Sequence, residues 1–243
     1  MAVKIILIAM LAVVLILGGL AAKQLYEFSR MSPLQTGEVI PGIYAINNDM
    51  VNIYFIKGDG GYIMIDAGVD KNKTSSALEQ LGISTDEVRA VLLTHSDGDH
   101  VMTLPLFPNA QVYLSEQEVQ MIDGKTSRNL IGKNSLSVEY KTLAGGETAE
   151  IAGLQVKCIL TPGHTPGSMC YLIDDKHLFT GDTLSLKDGK VDLFVSFFNM
   201  DDKVQSDSLY LLAKFIETAM PEYIFTGHHG YTNDPNIAFK NWK

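Results

Sequence analysis

Thr94-His95-Ser96-Asp97-Gly98-Asp99-His100 packs four potential metal ligands directly behind the apolar run Arg89-Ala90-Val91-Leu92-Leu93. A buried strand ends there and hands its ligands to a loop. Three later turns carry the same residue types: His164 in Thr161-Pro162-Gly163-His164-Thr165-Pro166-Gly167-Ser168, Asp182 in Gly181-Asp182-Thr183, and His228 with His229 in Gly227-His228-His229-Gly230. Imidazole and carboxylate are the ligands of borderline and hard divalent ions, and functional sites gather them from loops held by a rigid scaffold. Singly, each turn could merely cap its own backbone. Together they point to a metal site.

The elements that must position these loops are legible as short strands and a few helices. Residues 39–46, 52–56 and 62–66 are β-rich runs opening like an antiparallel meander, and residues 74–81 have helical spacing ended by Gly82. Residues 101–107 read as a short helix starting at the ligands, and 110–114 as a strand. Residues 115–122 read as a helix with Ser115 as N-cap and Glu118 completing a capping box. Strands at 154–160 and 169–173 flank the His164 turn. Strands at 177–180 and 223–226 run into the Asp182 and His228 turns, with a helix at 204–219 between them.

A chain of 243 residues with 46% hydrophobic content can bury one substantial core. Its net charge of −9 and lack of a Lys/Arg cluster argue against nucleic-acid binding. Cys158 and Cys170 read as two partly buried thiols on neighbouring strands, with a cross-strand disulfide as the other reading. Residues 5–22 are an unbroken apolar or glycine stretch bounded by Lys4 and Lys23, long enough to cross a bilayer as a helix. The expected organisation is a membrane anchor over residues 1–23, a cleaved signal being its rival, then a tether over 24–37 and a catalytic domain over 38–243. That makes a single-pass membrane protein whose catalytic domain is expected outside the cytoplasm, or secreted if the N-terminus is cleaved. The Lys/Arg balance across the span orients it only weakly.

These motifs, in this order, resemble the metallo-β-lactamase fold superfamily, whose hallmark is an H-x-H-x-D-H loop followed by isolated His, Asp and His ligands. The resemblance covers residue 39 to the carboxyl end. It implies an α/β fold, a four-layer αββα sandwich with the metals at one sheet edge. Asp66, in Ile65-Asp66-Ala67-Gly68, matches the residue that supports the metal loop from behind. His95, Asp97, Asp99 and His100 match the central loop, His164, Asp182 and His228 the later motifs. The resemblance further implies a small-molecule hydrolase with two divalent ions, zinc foremost, in which Asp182 bridges, Asp99 orients the attacking hydroxide, and the substrate is an ester, thioester or lactam.

One position departs from the family pattern: Asp97 stands where the second histidine is expected. The exchange lowers the site's charge by one, weakens the Lewis acidity of its metal and makes manganese or iron more competitive with zinc. A bland alternative leaves Asp97 as the cap of the helix that follows. His228 is preferred over His229 as the last ligand, because neighbouring strand residues point opposite ways; His229 is then a supporting donor or a surface residue. His177 reads as solvated and idle. The phenylalanine-rich stretch 191–200 either walls the pocket or docks a helix. Asn47–Met50, Tyr231 and Thr232 are further pocket candidates. Two rival readings are a mononuclear iron enzyme of the same fold acting on sulfur or oxygen, and a membrane-tethered metal-dependent binding module without turnover.

Overall fold

The structure, a computed structural model, describes residues 2–128 and 132–243. Of the expected anchor, Met1 and the side chains of residues 2, 3 and 5–9 lie outside the described residues, as do residues 129–131 of the expected domain. The chain divides into two units, Met1–Met31 and Ser32–Lys243. The first contains helix α1 (Ala2–Ser29), and its stretch Met10–Ser29 is long and apolar enough to cross a membrane. The helix continues into the expected tether, and the second unit begins ahead of the expected boundary at residue 38. Within that unit Ser32 N–H donates to the His228 carbonyl at 3.0 Å and Leu34 N–H to Asn52 Oδ1 at 2.8 Å, so the entering chain is already folded against the last ligand loop.

The second unit opens with the expected meander: β1 (Gly37–Ile40), β2 (Ile43–Asn48), β3 (Val51–Gly58) and β4 (Gly61–Ile65) pair antiparallel in sequence order. The expected first strand is split in two at the Pro41-Gly42 turn, where Gly42 takes φ +81°. Helix α2 (Lys71–Leu81), capped by Asp70 and ended by left-handed Gly82, then crosses to β5 (Val88–Leu92). After β5 the expected helix over 101–107 is instead one α-turn, α3 (Gly98–Val101), followed by a 3-10 turn at Leu104–Leu106. Pro105 sits inside that second turn and lacks the N–H that a continuing helix needs. Strand β6 (Gln111–Ser115), short helix α4 (Val119–Ile122) and β7 (Tyr140–Leu143) follow, with β4, β5, β6 and β7 all parallel. This gives a seven-stranded sheet ordered as in the sequence.

The second sheet is built from β8 (Thr148–Ile151), β9 (Leu154–Leu160), β10 (Met169–Ile173) and β11 (His177–Phe179), all antiparallel neighbours. A small hairpin, β12 (Ser185–Lys187) and β13 (Lys190–Asp192), and helix α5 (Asp202–Ala219) lead to β14 (Tyr223–Phe225), which joins β11 in parallel, and β15 (Tyr231–Thr232) closes the edge. Alternation along the strands assigns the layers. Ile43, Tyr54, Ile63 and Leu92 meet Val156, Cys158, Tyr171 and Phe225 between the sheets. The opposite faces bury Phe55, Met64 and Val91 against Ala77 and Leu78 of α2, and Cys170, Leu172 and Ile224 against Leu209, Leu212 and Ile216 of α5. The fold is therefore the αββα sandwich. Cys158 and Cys170 lie on opposite faces of paired strands, which rules out the cross-strand disulfide; both are free and buried.

Two tyrosines in the inter-sheet layer tie the ligand loops across the sandwich. Tyr171 on β10 donates its hydroxyl to the Leu93 carbonyl at 2.8 Å, one residue before Thr94, and Tyr54 on β3 donates to the Thr226 carbonyl at 2.7 Å, two before His228. Each bond satisfies a carbonyl that the sheets leave buried at a strand end. Tyr171→Phe is expected to destabilise the protein by about 1–3 kcal/mol, the cost of an orphaned buried acceptor, and Tyr54→Phe by only about 0.5–1.5 kcal/mol, because Asn52 Nδ2 still donates to the Thr226 carbonyl at 3.0 Å; chemical denaturation measures both.

Candidate metal centre

Asp66 stands directly after β4 with φ +56°, a left-handed conformation that strains any residue with a Cβ. The strain turns its carboxylate under the loop that follows β5. Oδ1 accepts the Thr94 N–H at 2.8 Å, while Oδ2 accepts the Thr94 hydroxyl at 2.9 Å and His100 Nδ1 at 2.9 Å. One carboxylate thus holds both ends of the central loop. Two glycines bring the later loops close. Gly181, at φ +50°, leaves no room for a Cβ beside Thr94 Oγ1, and a Cβ on Gly227 would lie 2.5 Å from Asp182 Oδ1. The Gly-Asp and Gly-His pairs in the sequence are therefore conditions for packing strand ends together.

Seven sequence-predicted residues converge at this edge. His95 Nε2 and His164 Nε2 are 3.2 Å apart, and Asp97 Oδ2 lies 3.5 Å from the first and 3.1 Å from the second. Asp99 Oδ2 lies 3.7 Å from His100 Nε2 and 3.3 Å from His228 Nε2. Asp182 faces both sets: Oδ2 is 3.9 Å from His95 Nε2, 3.5 Å from His164 Nε2 and 3.3 Å from His228 Nε2, and Oδ1 is 3.5 Å from His100 Nε2. Among the described residues, His95, His164 and Asp182 form one group able to hold a metal ion, and Asp99, His100 and His228 another.

All four imidazoles use Nδ1 outward and turn Nε2 inward. His100 Nδ1 donates to Asp66 and His228 Nδ1 to the Met50 carbonyl at 2.6 Å. His95 Nδ1 is 3.0 Å from Thr94 Oγ1, whose own proton goes to Asp66. His164 Nδ1 is 3.2 Å from Asn199 Oδ1, an oxygen fixed in place because Asn199 Nδ2 donates to the Phe194 carbonyl at 3.0 Å. Such outward bonds select the tautomer whose Nε2 carries the lone pair. His100 Nε2 and Asp182 Oδ1 are buried without a hydrogen-bond partner. Converging ring nitrogens and carboxylate oxygens, with two buried polar atoms among them left without a partner, fit a divalent cation in each group.

Burial opposes ionisation of Asp97, Asp99 and Asp182, but the neighbouring imidazoles outweigh it. Asp97 and Asp182 are held well below the usual carboxylate range and Asp99 falls to about 2. The histidines respond in kind. Burial disfavours their charge, yet Asp182 and its neighbours push His100 well up and His228 to about 10, whereas His164, with burial dominant, is lowered. Protons compensate the carboxylates until metal replaces them.

Residues outside the expected ligand set also shape the site. Arg128 ion-pairs with Asp97 Oδ2, and Asn134 Nδ2 donates to Asp97 Oδ1 at 2.9 Å. Asp97 does occupy the N-cap position of α3 but makes no capping bond, so the capping alternative fails. Glu118 is fully buried: Oε1 accepts Ser96 N–H (3.0 Å) and hydroxyl (2.6 Å), and Oε2 accepts the Thr165 hydroxyl (2.6 Å) and Gly167 N–H (3.1 Å). Ser115 does cap the turn by accepting Glu118 N–H at 3.2 Å, but the Glu118 side chain is spent on joining the His95 and His164 loops, not on closing a capping box. No periodicity marks any of these, because each acts across the fold.

The phenylalanine-rich stretch serves both expected roles. Phe194 packs its ring 5.1 Å from His164 and 5.3 Å from His228, walling the site, while Val191 joins the core under α5. Met50 reaches the site through its carbonyl on His228, whereas Tyr231 stacks on Phe225. His229 is 1% exposed and no surface residue; its main chain bonds Thr226 and Asn52, and it belongs to neither metal group. His177 is half-buried against Tyr223 and Phe225 in β11, so it is not solvated as expected.

A family model described as the metallo-beta-lactamase superfamily matches residues 46–228. A probable polyketide biosynthesis zinc-dependent hydrolase of Bacillus subtilis (strain 168) is 38% identical over 125 residues, 50% of this chain and 49% of that protein. A hydroxyacylglutathione hydrolase of Synechococcus sp. (strain JA-2-3B'a(2-13)) is 36% identical over 123 residues, 49% of this chain and 43% of that protein. The chain thus spans about half the length of the curated relatives it matches. Among solved structures, a metallo-beta-lactamase family protein from Thermus thermophilus superposes with TM-score 0.61 at 22% identity, covering 84% of this chain and 78% of that one; it shares the fold.

Two outcomes follow from this geometry. Because His228 keeps its proton up to about pH 10 in the metal-free protein while the carboxylates are already ionised at neutrality, metal uptake must release protons. Apparent metal affinity should therefore rise with pH through neutrality, and calorimetry at pH 7 in buffers of different ionisation enthalpy should show proton release. Glu118→Ala removes the acceptor of four donors and should lower the melting temperature by about 6–12 °C, from about 3 kcal/mol of lost stability.

Proposed function

This chain belongs to the metallo-beta-lactamase superfamily, and from that premise we propose a membrane-anchored, metal-dependent hydrolase of small ester, thioester or lactam-type substrates. The observation that carries the reading is Asp182, a buried carboxylate facing both ligand groups at once. His95, Asp97 and His164 would hold a first cation and Asp99, His100 and His228 a second, with Asp182 shared. Zinc suits the imidazole-rich set, and Asp97 brings manganese and iron into competition. Bound there, divalent cations supply Lewis acidity and a water made nucleophilic near neutral pH.

The chain's own residues do the rest. Asp99, partly exposed and ionised down to about pH 2, is an acceptor suited to orienting an attacking water. Asp66, Asn199 and the Met50 carbonyl hold the imidazoles in register. Phe194 excludes bulk water from the side shared by His164 and His228. Neither cysteine is a candidate nucleophile: burial pushes the thiols of Cys158 and Cys170 up to about 12 and about 11, and both are packed in core layers. Relatives named as zinc-dependent hydrolase and hydroxyacylglutathione hydrolase support hydrolysis as the reaction class. The apolar N-terminal helix supports a membrane anchor; the location of the catalytic unit outside the cytoplasm is part of the proposal.

The test combines elemental analysis with a panel of chromogenic esters, thioesters and lactams. Metal-replete protein should carry two ions per chain and turn over at least one panel class. Asp182→Ala and Asp99→Ala should each lose metal together with turnover. One iron per chain would favour a mononuclear enzyme, and full metal loading with no turnover would favour a binding module; either outcome rejects the proposal.

A further inference from the structure

We propose that Arg128 is a built-in cation occupying the position of the first metal, so that the two groups fill in a fixed order: Asp99, His100 and His228 first, then His95, Asp97 and His164 once the guanidinium is displaced. This rests on the metal-site reading above. The Arg128 side chain is only 11% exposed and reaches into the ligand cluster from a stretch that contains no other ligand. One terminal nitrogen pairs with Asp97 Oδ2. The other donates to the His164 carbonyl at 3.1 Å and lies 3.2 Å from His164 Nε2.

A guanidinium only donates, and the bond from His164 Nδ1 to Asn199 Oδ1 leaves His164 Nε2 as an acceptor. That nitrogen has a single lone pair. It can accept the Arg128 proton or bind a metal, but not both. Asp97 is less constrained, since a carboxylate has several lone pairs and Asn134 occupies only Oδ1. The contest between arginine and metal is therefore decided at His164.

Nothing comparable guards the second group. Among the described residues, the ion pairs of Asp99 and Asp182 are with imidazoles alone, and His100 Nε2 and Asp182 Oδ1 are the orphaned atoms. The asymmetry also explains how Asp97 is tolerated where a neutral imidazole would add no charge: Arg128 offsets the extra anion in the absence of metal. The hold is partial, because Arg128 Nε is buried without a hydrogen-bond partner, so only the two terminal nitrogens must be released.

The experiment is stepwise titration of the metal-free full-length protein with Co(II) or Zn(II) against a chromophoric chelator, with the Co(II) absorption spectrum recorded at each step. Wild type should bind in two resolved steps, the second weaker. Arg128→Ala should tighten the second step by about 10- to 100-fold, the worth of a charge-assisted hydrogen bond, and leave the first step unchanged. Circular dichroism of the metal-free variants checks folding; should Arg128→Ala fail it, Arg128→Met, which keeps the aliphatic bulk, carries the same comparison. An unchanged second step, or its loss, overturns the role of Arg128 while leaving the two-metal reading intact. A wild type that takes up no metal overturns both.

Discussion

Asp182 lies between two sets of imidazoles and two further carboxylates at the ends of strands, all largely taken out of water except the partly exposed Asp99. Buried like charges at such distances cannot coexist uncompensated. In the metal-free protein the compensation comes from protons on His100 and His228 and from the guanidinium of Arg128 on Asp97. Each of these is a substitute that a divalent cation can replace, which is how a stable fold can hold a site poised for metal.

The sandwich exists to hold that concentration of charge in place. Loops bearing His95 to His100, His164, Asp182 and His228 leave two different sheets, and those of His95, His164 and His228 are each fastened by a buried bond from across the fold. Tyr171 holds Leu93, Tyr54 and Asn52 hold Thr226, and Glu118 joins Ser96 to Thr165 and Gly167. These are mostly side chain to main chain bonds across the core, so the positions of the ligands depend on the packing of the two sheets and not on the loops' own conformational preferences.

Much of this is legible in the sequence, for identifiable reasons. Ligand residues stand out by type at strand ends and the strands themselves by their apolar runs, while the αββα layering and the set of seven converging side chains are anticipated through the resemblance of these motifs to the family. The hairpin β12–β13 and strand β15 are too short to show periodicity. The helix expected over 101–107 breaks at Pro105, and the expected capping box dissolves because Glu118 finds four donors across the fold. Arg128 and Asn134 are invisible for the same reason: a lone polar residue in a polar stretch carries no signal of what lies opposite. Asp97 stands out as the unusual position, but its partner does not.

The central claim is that these side chains hold two cations with Asp182 between them. Crystals of metal-loaded protein, measured at the absorption edge of the bound metal, test it directly. Two anomalous peaks are expected, one among His95, Asp97 and His164 and one among Asp99, His100 and His228, each within coordination distance of an Asp182 oxygen. A peak outside this cluster, or a fully loaded crystal whose Asp182 carboxylate touches no metal, would contradict it.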